Sequence, residues 1–111
     1  VSLWGTGNVM REFLHVDDLA KAVKYSLENI LPENLYNIGT GSDISIKHLA
    51  ELIQRISGYN GKIDWDKSKP DGTPKKLLDS NKINSLGWKP EKKLKDGIIS
   101  TYSWYLNNQQ K

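Results

Sequence analysis

Apolar residues recur at helical spacing in three stretches of the chain. They are Val16, Leu19, Ala20, Val23, Leu27 and Ile30; then Ile46, Leu49, Ala50, Ile53 and Ile56; then Leu94, Ile98, Tyr102 and Tyr105. Each set predicts one apolar face of an amphipathic helix. Asp17 or Asp18 can cap the first helix and complement its dipole, and Pro32 stops it. Ser45 is the expected N-cap of the second helix and Gly58 its stop. The last helix is expected over about 94–107. A shorter one, capped by Asp79 or Ser80, ends at Gly87, with Ile83 and Leu86 as its buried side and Trp88 folding back in a Schellman-type closure. Extended segments fall between the helices. Val1–Trp4 and Val9–Leu14 read as short strands joined by the turn-forming Gly5-Thr6-Gly7-Asn8, and Leu35–Ile38, Lys62–Trp65 and Lys76–Leu78 read as three more. Helices and strands alternate, but the strands are too few and too short for a complete doubly wound sheet. The pattern predicts a mixed α/β satellite lobe.

Composition narrows the function classes. With 111 residues, 37% of them hydrophobic, the chain fits one domain, 1–111, with one modest core. It has no cysteine, which excludes disulfides, a thiolate nucleophile and a Cys-ligated zinc site. There is no long apolar run and no signal-peptide pattern, so no membrane span is expected. Val1-Ser2-Leu3-Trp4 reads as the middle of a strand, and the expectation is a fragment of a larger protein. The net charge of +3 is unevenly spread: residues 1–61 hold 5 Lys/Arg against 7 Asp/Glu, residues 62–111 hold 11 against 6. A basic half attracts anions, nucleic acid among them. Here Asp64, Asp66, Asp71, Asp79, Glu91 and Asp96 interrupt the lysines, and no arginine-rich stripe or recognition-helix pattern is present.

The densest candidate chemistry is Ser68-Lys69-Pro70-Asp71-Gly72-Thr73-Pro74-Lys75-Lys76. Two prolines fix φ and remove donors, and Gly72 admits a bend, so the segment can be neither helix nor central strand. A stiff cationic loop loses little ordering entropy when it binds a diphosphate. Asp71 can accept hydrogen bonds from sugar hydroxyls or cap the turn at Gly72. Arg11 sits among apolar strand neighbours and needs an anion: an internal carboxylate such as Glu12 or Asp17, or a ligand phosphate or ribose hydroxyl. Trp4, beside a glycine turn, suits either the core or the flank of a planar or sugar ligand. Gly5-Thr6-Gly7 and Gly39-Thr40-Gly41 lack the third glycine of a dinucleotide fingerprint, with Met10 and Ile44 in its place, and read as turns. His15, Asp17 and Asp18 lack the further ligands that a metal needs, so His15 reads as a strand-end residue. No nucleophile–base pair is apparent, and Tyr59 has Lys62 three positions on rather than the four of Tyr-x-x-x-Lys.

Taken in order, several segments resemble the C-terminal part of the GDP-L-fucose synthases, extended short-chain dehydrogenases/reductases. They are Trp4-Gly5-Thr6-Gly7 through Met10-Arg11-Glu12-Phe13-Leu14-His15-Val16-Asp17-Asp18, then Asn37-Ile38-Gly39-Thr40-Gly41, then the loop from Ser68 to Asp79. Leu86-Gly87-Trp88 and Thr101-Tyr102-Ser103-Trp104-Tyr105-Leu106 continue the match. Arg-x-Phe-x-x-Val-x-Asp alone indicates only the wider nucleotide-sugar group; Lys-Pro-Asp-Gly-Thr-Pro narrows it. The resemblance implies an α/β C-terminal substrate-binding lobe whose NADP(H)-binding Rossmann domain, with its Ser, Tyr and Lys set and its acid/base Cys and His, lies upstream of Val1. His15 does not match the catalytic histidine. By motif position Trp4, Arg11 and Asp71 match substrate-binding residues, with Lys76 a further phosphate contact. Position 75 carries lysine where the family often has arginine. The implied parent enzyme epimerises GDP-4-keto-6-deoxy-mannose at C3 and C5 and reduces it with NADPH to GDP-L-fucose. It is cytoplasmic and homodimeric through the larger domain, with no nucleic-acid or membrane partner. The fragment alone is expected to be inactive. Another nucleotide-sugar epimerase or dehydratase is the nearest alternative, and a small basic nucleic-acid-binding domain is the alternative from another class.

Overall fold

Two segments far apart in sequence run side by side, and the rest of the chain is arranged around them. The computed structural model describes residues 1–109. Strand β1 (Ser2–Trp4) pairs in parallel with β4 (Asp64–Asp66), with Trp4 opposite Asp66. Strand β2 (Met10–Arg11) pairs in parallel with β5 (Lys75–Lys76), with Arg11 opposite Lys76. On its other edge β2 pairs antiparallel with β3 (Ile44–Ser45), giving the order β3-β2-β5. The two segments are thus threaded in the same direction through two small sheets. Between the sheets the second is longer: Asp66 to Lys75 takes nine steps where Trp4 to Met10 takes six. The excess bulges out as the cationic loop.

Four helices complete the described residues: α1 (Val16–Glu28), α2 (Ile46–Ser57), α3 (Asn81–Leu86) and α4 (Leu94–Asn108). The mixed α/β class with short strands and four helices is therefore observed. Ser45 caps α2 through its side chain on the His48 amide, and Gly58, at φ 70°, closes it. The amides of Ile46 and Lys47 donate to the Val9 and Gly7 carbonyls at 3.0 and 2.9 Å. These bonds satisfy orphan donors of α2 and dock it on the turn between β1 and β2.

Several expectations need correction. The first two strands do not form a hairpin; they join different sheets, because each finds its ladder partner beyond residue 43. Leu35–Ile38 forms no ladder; Tyr36 and Ile38 instead pack against the core. Neither Asp17 nor Asp18 caps α1. Its N-cap is His15, whose Nδ1 accepts the Asp17 amide at 3.1 Å while Nε2 meets Ser100 Oγ on α4 at 3.1 Å. Since Nδ1 accepts, Nε2 carries the imidazole proton in this network. Asp18 is buried, at 1% exposure, and accepts the Glu91 and Lys92 amides at 3.0 Å each. Helix α3 closes through the Gly87 amide on the Asn84 carbonyl, a tighter turn than the Schellman pattern. Leu86 is exposed rather than buried.

The largest correction concerns α1. Its apolar stripe, Val16, Leu19, Val23, Leu27 and Ile30, faces outward, with Leu27 83% and Ile30 98% exposed. The opposite side carries Asp18, Ala22 and Tyr25 and faces the core of Ala22, Ile83 and Trp88. Ala22 lets α3 approach closely, and the two backbone donors compensate the buried Asp18 carboxylate. The chain is accordingly extended, 49 × 36 × 21 Å with a radius of gyration of 16.7 Å, against about 13 Å for a compact domain of this size.

Candidate functional site

Because register partners in a parallel pair project to the same face, Arg11 and Lys76 stand side by side on the β2–β5 ladder. Neither forms an ion pair with a carboxylate among the described residues. Arg11 is half-buried; its Nη1 donates to the Met10 carbonyl at 2.7 Å, and its Nη2 lies 3.7 Å from where a Cβ on Gly72 would stand. The guanidinium is therefore tucked under the cationic loop. Both internal partners that the sequence offered Arg11 are engaged elsewhere. Glu12 bonds the Gly39–Gly41 turn, and Asp17 lies 3.3 Å from Lys92 Nζ and 3.7 Å from His15 Nδ1. Lys75, one residue along, points to the opposite face and reaches Asp43 at 3.4 Å. The lysine at position 75 is thus structural rather than a member of the Arg11–Lys76 face.

Asp71 lies at the crown of the loop. Its Oδ1 accepts the Thr6 amide at 2.6 Å and its Oδ2 accepts Thr6 Oγ1 at 2.7 Å, so it latches the loop to the Gly5–Gly7 turn. Gly5 is required there: at φ 81° any side chain is strained, and a Cβ would land on the Asp71 carboxylate. The carboxylate's remaining lone pairs face solvent. The Thr6 amide, then the Thr6 hydroxyl, hold the Asp71 pKa below its ordinary value near 3.8. A depressed carboxyl pKa stabilises the folded latch at all pH values above the unfolded pKa. That stability is lost as pH falls through the folded value, which lies below the ordinary one, so the latch holds at neutral pH. We expect Thr6→Val to move the Asp71 pKa upward in a carboxyl-detected NMR titration; an unmoved titration would show that the hydroxyl bond does not form in solution.

Trp4, at the end of β1, is 69% exposed, and Lys69 Nζ sits 5.4 Å from its ring centroid. One face of the indole is thus covered by a cation, a contact of about 0.5–1 kcal/mol at an exposed site. The structure therefore gathers Trp4, Asp71, Arg11 and Lys76 along one pair of neighbouring segments, with Trp4 out of the core.

A cavity of about 550 Å³ lies elsewhere, between α2 and α4, lined by Leu49, Ile53, Leu94, Ile98, Tyr102 and Trp104 among others. It contains none of the four site residues. Its lining is mainly apolar; His15, Lys92 and Lys93 also border it. Lys92 is paired with Asp17, and His15 is bonded to the Asp17 amide and Ser100. The charged ladder, with two cations unpaired among the described residues, is therefore the candidate site.

Sequence reasoning missed Glu12. Its carboxylate accepts the Thr40 amide (2.8 Å), Thr40 Oγ1 (3.2 Å), the Gly41 amide (2.7 Å) and the Leu78 amide (3.2 Å). The turn Gly39-Thr40-Gly41 thus cradles an internal anion. The signal available in the sequence is the paired glycines of a turn, which free backbone amides to meet an anion.

The NAD dependent epimerase/dehydratase family matches residues 1–39. A probable GDP-L-fucose synthase 1 of Oryza sativa subsp. japonica is 53% identical over 108 residues, 97% of this chain and 33% of that protein. The GDP-L-fucose synthase of Escherichia coli (strain K12) is 47% identical over 120 residues, covering 100% of this chain and 37% of that protein. Among solved structures, a GDP-mannoheptose C4 reductase from Campylobacter jejuni with NADP bound superposes with a TM-score of 0.84 at 44% identity. That match covers 96% of this chain and 34% of the reductase. The chain thus spans about one third of the length of the curated relatives it matches. Among the described residues no helix is long and apolar enough to cross a membrane.

Proposed function

We propose that this chain, a homologue of the GDP-L-fucose synthases within the NAD dependent epimerase/dehydratase family, is the substrate-binding lobe of such an enzyme. It grips the diphosphate of a GDP-sugar. The observation that carries this reading is the register pairing of Arg11 with Lys76, two cations with no acidic partner among the described residues, beside a loop latched in place before any ligand arrives. Arg11 and Lys76 contact phosphate oxygens, Asp71 accepts from hydroxyls through its free lone pairs, and Trp4 offers its uncovered face as a flank. Such contacts orient the sugar against reacting groups held elsewhere, which is how positioning lowers a barrier.

In this reading the parent enzyme epimerises GDP-4-keto-6-deoxy-mannose beside its ketone and reduces it to GDP-L-fucose. NADP(H) and the acid/base groups belong to the other two thirds of the parent, which also supply its dimer contact in the cytoplasm. The outward stripe of α1 supports a covered lobe: apolar surface of this extent is normally buried by further chain. A second reading, reduction of a GDP-heptose, is favoured by the 44% identity to the Campylobacter reductase. It shares the diphosphate grip and differs only in the sugar.

The test has two parts. Purified 1–111 is expected to consume no NADPH with either ketosugar, yet to bind GDP in a titration. In the parent enzyme GDP is expected to compete better than UDP or dTDP. NADPH oxidation by 1–111 alone would end the lobe reading, and absence of GDP binding would end the diphosphate grip.

A further inference from the structure

We infer that Glu12 is a positioning residue for the diphosphate grip: it braces the β2–β5 ladder so that Arg11 and Lys76 stay in register. The inference rests on the functional reading above, which it deepens. Glu12 follows Arg11 directly in the chain, and Leu78 lies two residues beyond Lys76. A single carboxylate on the end of β2 therefore ties it to the end of β5 and to the turn before β3, accepting four hydrogen bonds from those two segments. Both ladders that flank Arg11 are only two residues long. Two-residue ladders have little cooperativity of their own, so a charge-assisted knot at their ends governs whether they stay aligned. Gly39 makes the knot fit: a Cβ there would stand 2.7 Å from both carboxylate oxygens of Glu12.

The inference assigns the Gly39-Thr40-Gly41 turn a role in the chemistry without any contact to ligand. An amide nest that binds anions in other settings here binds the protein's own carboxylate and fixes two cations at a distance. Glu12→Gln keeps the shape but replaces one accepting oxygen with an NH₂ that faces amide donors. Gly39→Ala keeps the carboxylate but displaces it, and so serves if the first variant fails to fold.

The test uses amide exchange and GDP titration on residues 1–111. The Met10 amide, which donates to the Pro74 carbonyl at 2.8 Å, reports the β2–β5 ladder. The amides of Gly5 and Asp64, bonded to Asp66 and Val1 carbonyls at 2.9 Å each, report the β1–β4 side. In both variants we expect Met10 to exchange at least tenfold faster, Gly5 and Asp64 to hold their rates, and GDP to bind at least tenfold more weakly. Unchanged Met10 exchange overturns the inference. So does equal acceleration at Gly5 and Asp64, which means general loosening. GDP bound as tightly by Glu12→Gln as by the parent sequence overturns it too. Failure of the unaltered chain to bind GDP counts against the functional reading itself, and the exchange rates then decide the brace by themselves.

Discussion

Replacing Arg11 and Lys76 together with methionine is expected to lower GDP affinity at least a hundredfold. Each side chain offers a charge-assisted hydrogen bond, about 1.5–3 kcal/mol when shielded, and every 1.4 kcal/mol is about tenfold in affinity. The single variants should each cost roughly ten- to hundredfold, with Arg11 the larger because its half-buried guanidinium is held in place and presents a bidentate fork. Lys75→Met is the internal control. Its ammonium lies on the other face beside Asp43, and its loss should leave GDP binding within a few-fold. Titration calorimetry at low and moderate salt distinguishes the cases, since the double variant should also lose most of the salt dependence. Undiminished GDP affinity in the double variant would refute the assignment of the site.

Ile83→Ala is expected to cost about 2–5 kcal/mol, the range for truncating a fully buried aliphatic side chain. At 0% exposure Ile83 is the centre of a core whose other buried apolar members are Ala22 and Trp88. Domains of this size are stable by about 5–15 kcal/mol in all, so the loss is a large fraction of the total. Leu27→Ala, equally apolar and on a far longer helix, should change stability by no more than about 0.5 kcal/mol because Leu27 is exposed. Urea unfolding with an unchanged slope measures both. A Leu27→Ala loss comparable to that of Ile83→Ala would mean that the α1 stripe is buried in solution.

That contrast shows what the sequence could and could not reveal. Helix positions were legible because periodicity and end signals are local: Ser45 and Gly58 bracket α2 as their chemistry requires. Which side of α1 is buried was not legible. Periodicity identifies an apolar stripe but not the surface that covers it, and here Asp18 and Ala22 face the core instead. Strand pairing failed for a related reason. The turn residues at 5–8 imply a hairpin when read locally, yet ladders to residues 64–66 and 75–76 are long-range pairings that no short window contains. The candidate site residues could be singled out by type and by resemblance. Their arrangement was not: the latch from Thr6 to Asp71 spans 65 positions and the brace from Glu12 to Leu78 spans 66. Arg11 shows the gain from the fold. Sequence left its partner open between an internal acid and a ligand, and the structure shows both nearby acids bonded elsewhere.

The three surplus residues between β4 and β5 have a consequence for how such a lobe can diversify. Because the strands on either side keep their partners whatever the span between them, that crossing can lengthen or shorten without disturbing a single rung. On the proposed reading, a family could therefore retune which sugar fits beneath the arch by trimming or extending it, while the two cations at its foot keep their places on the ladder.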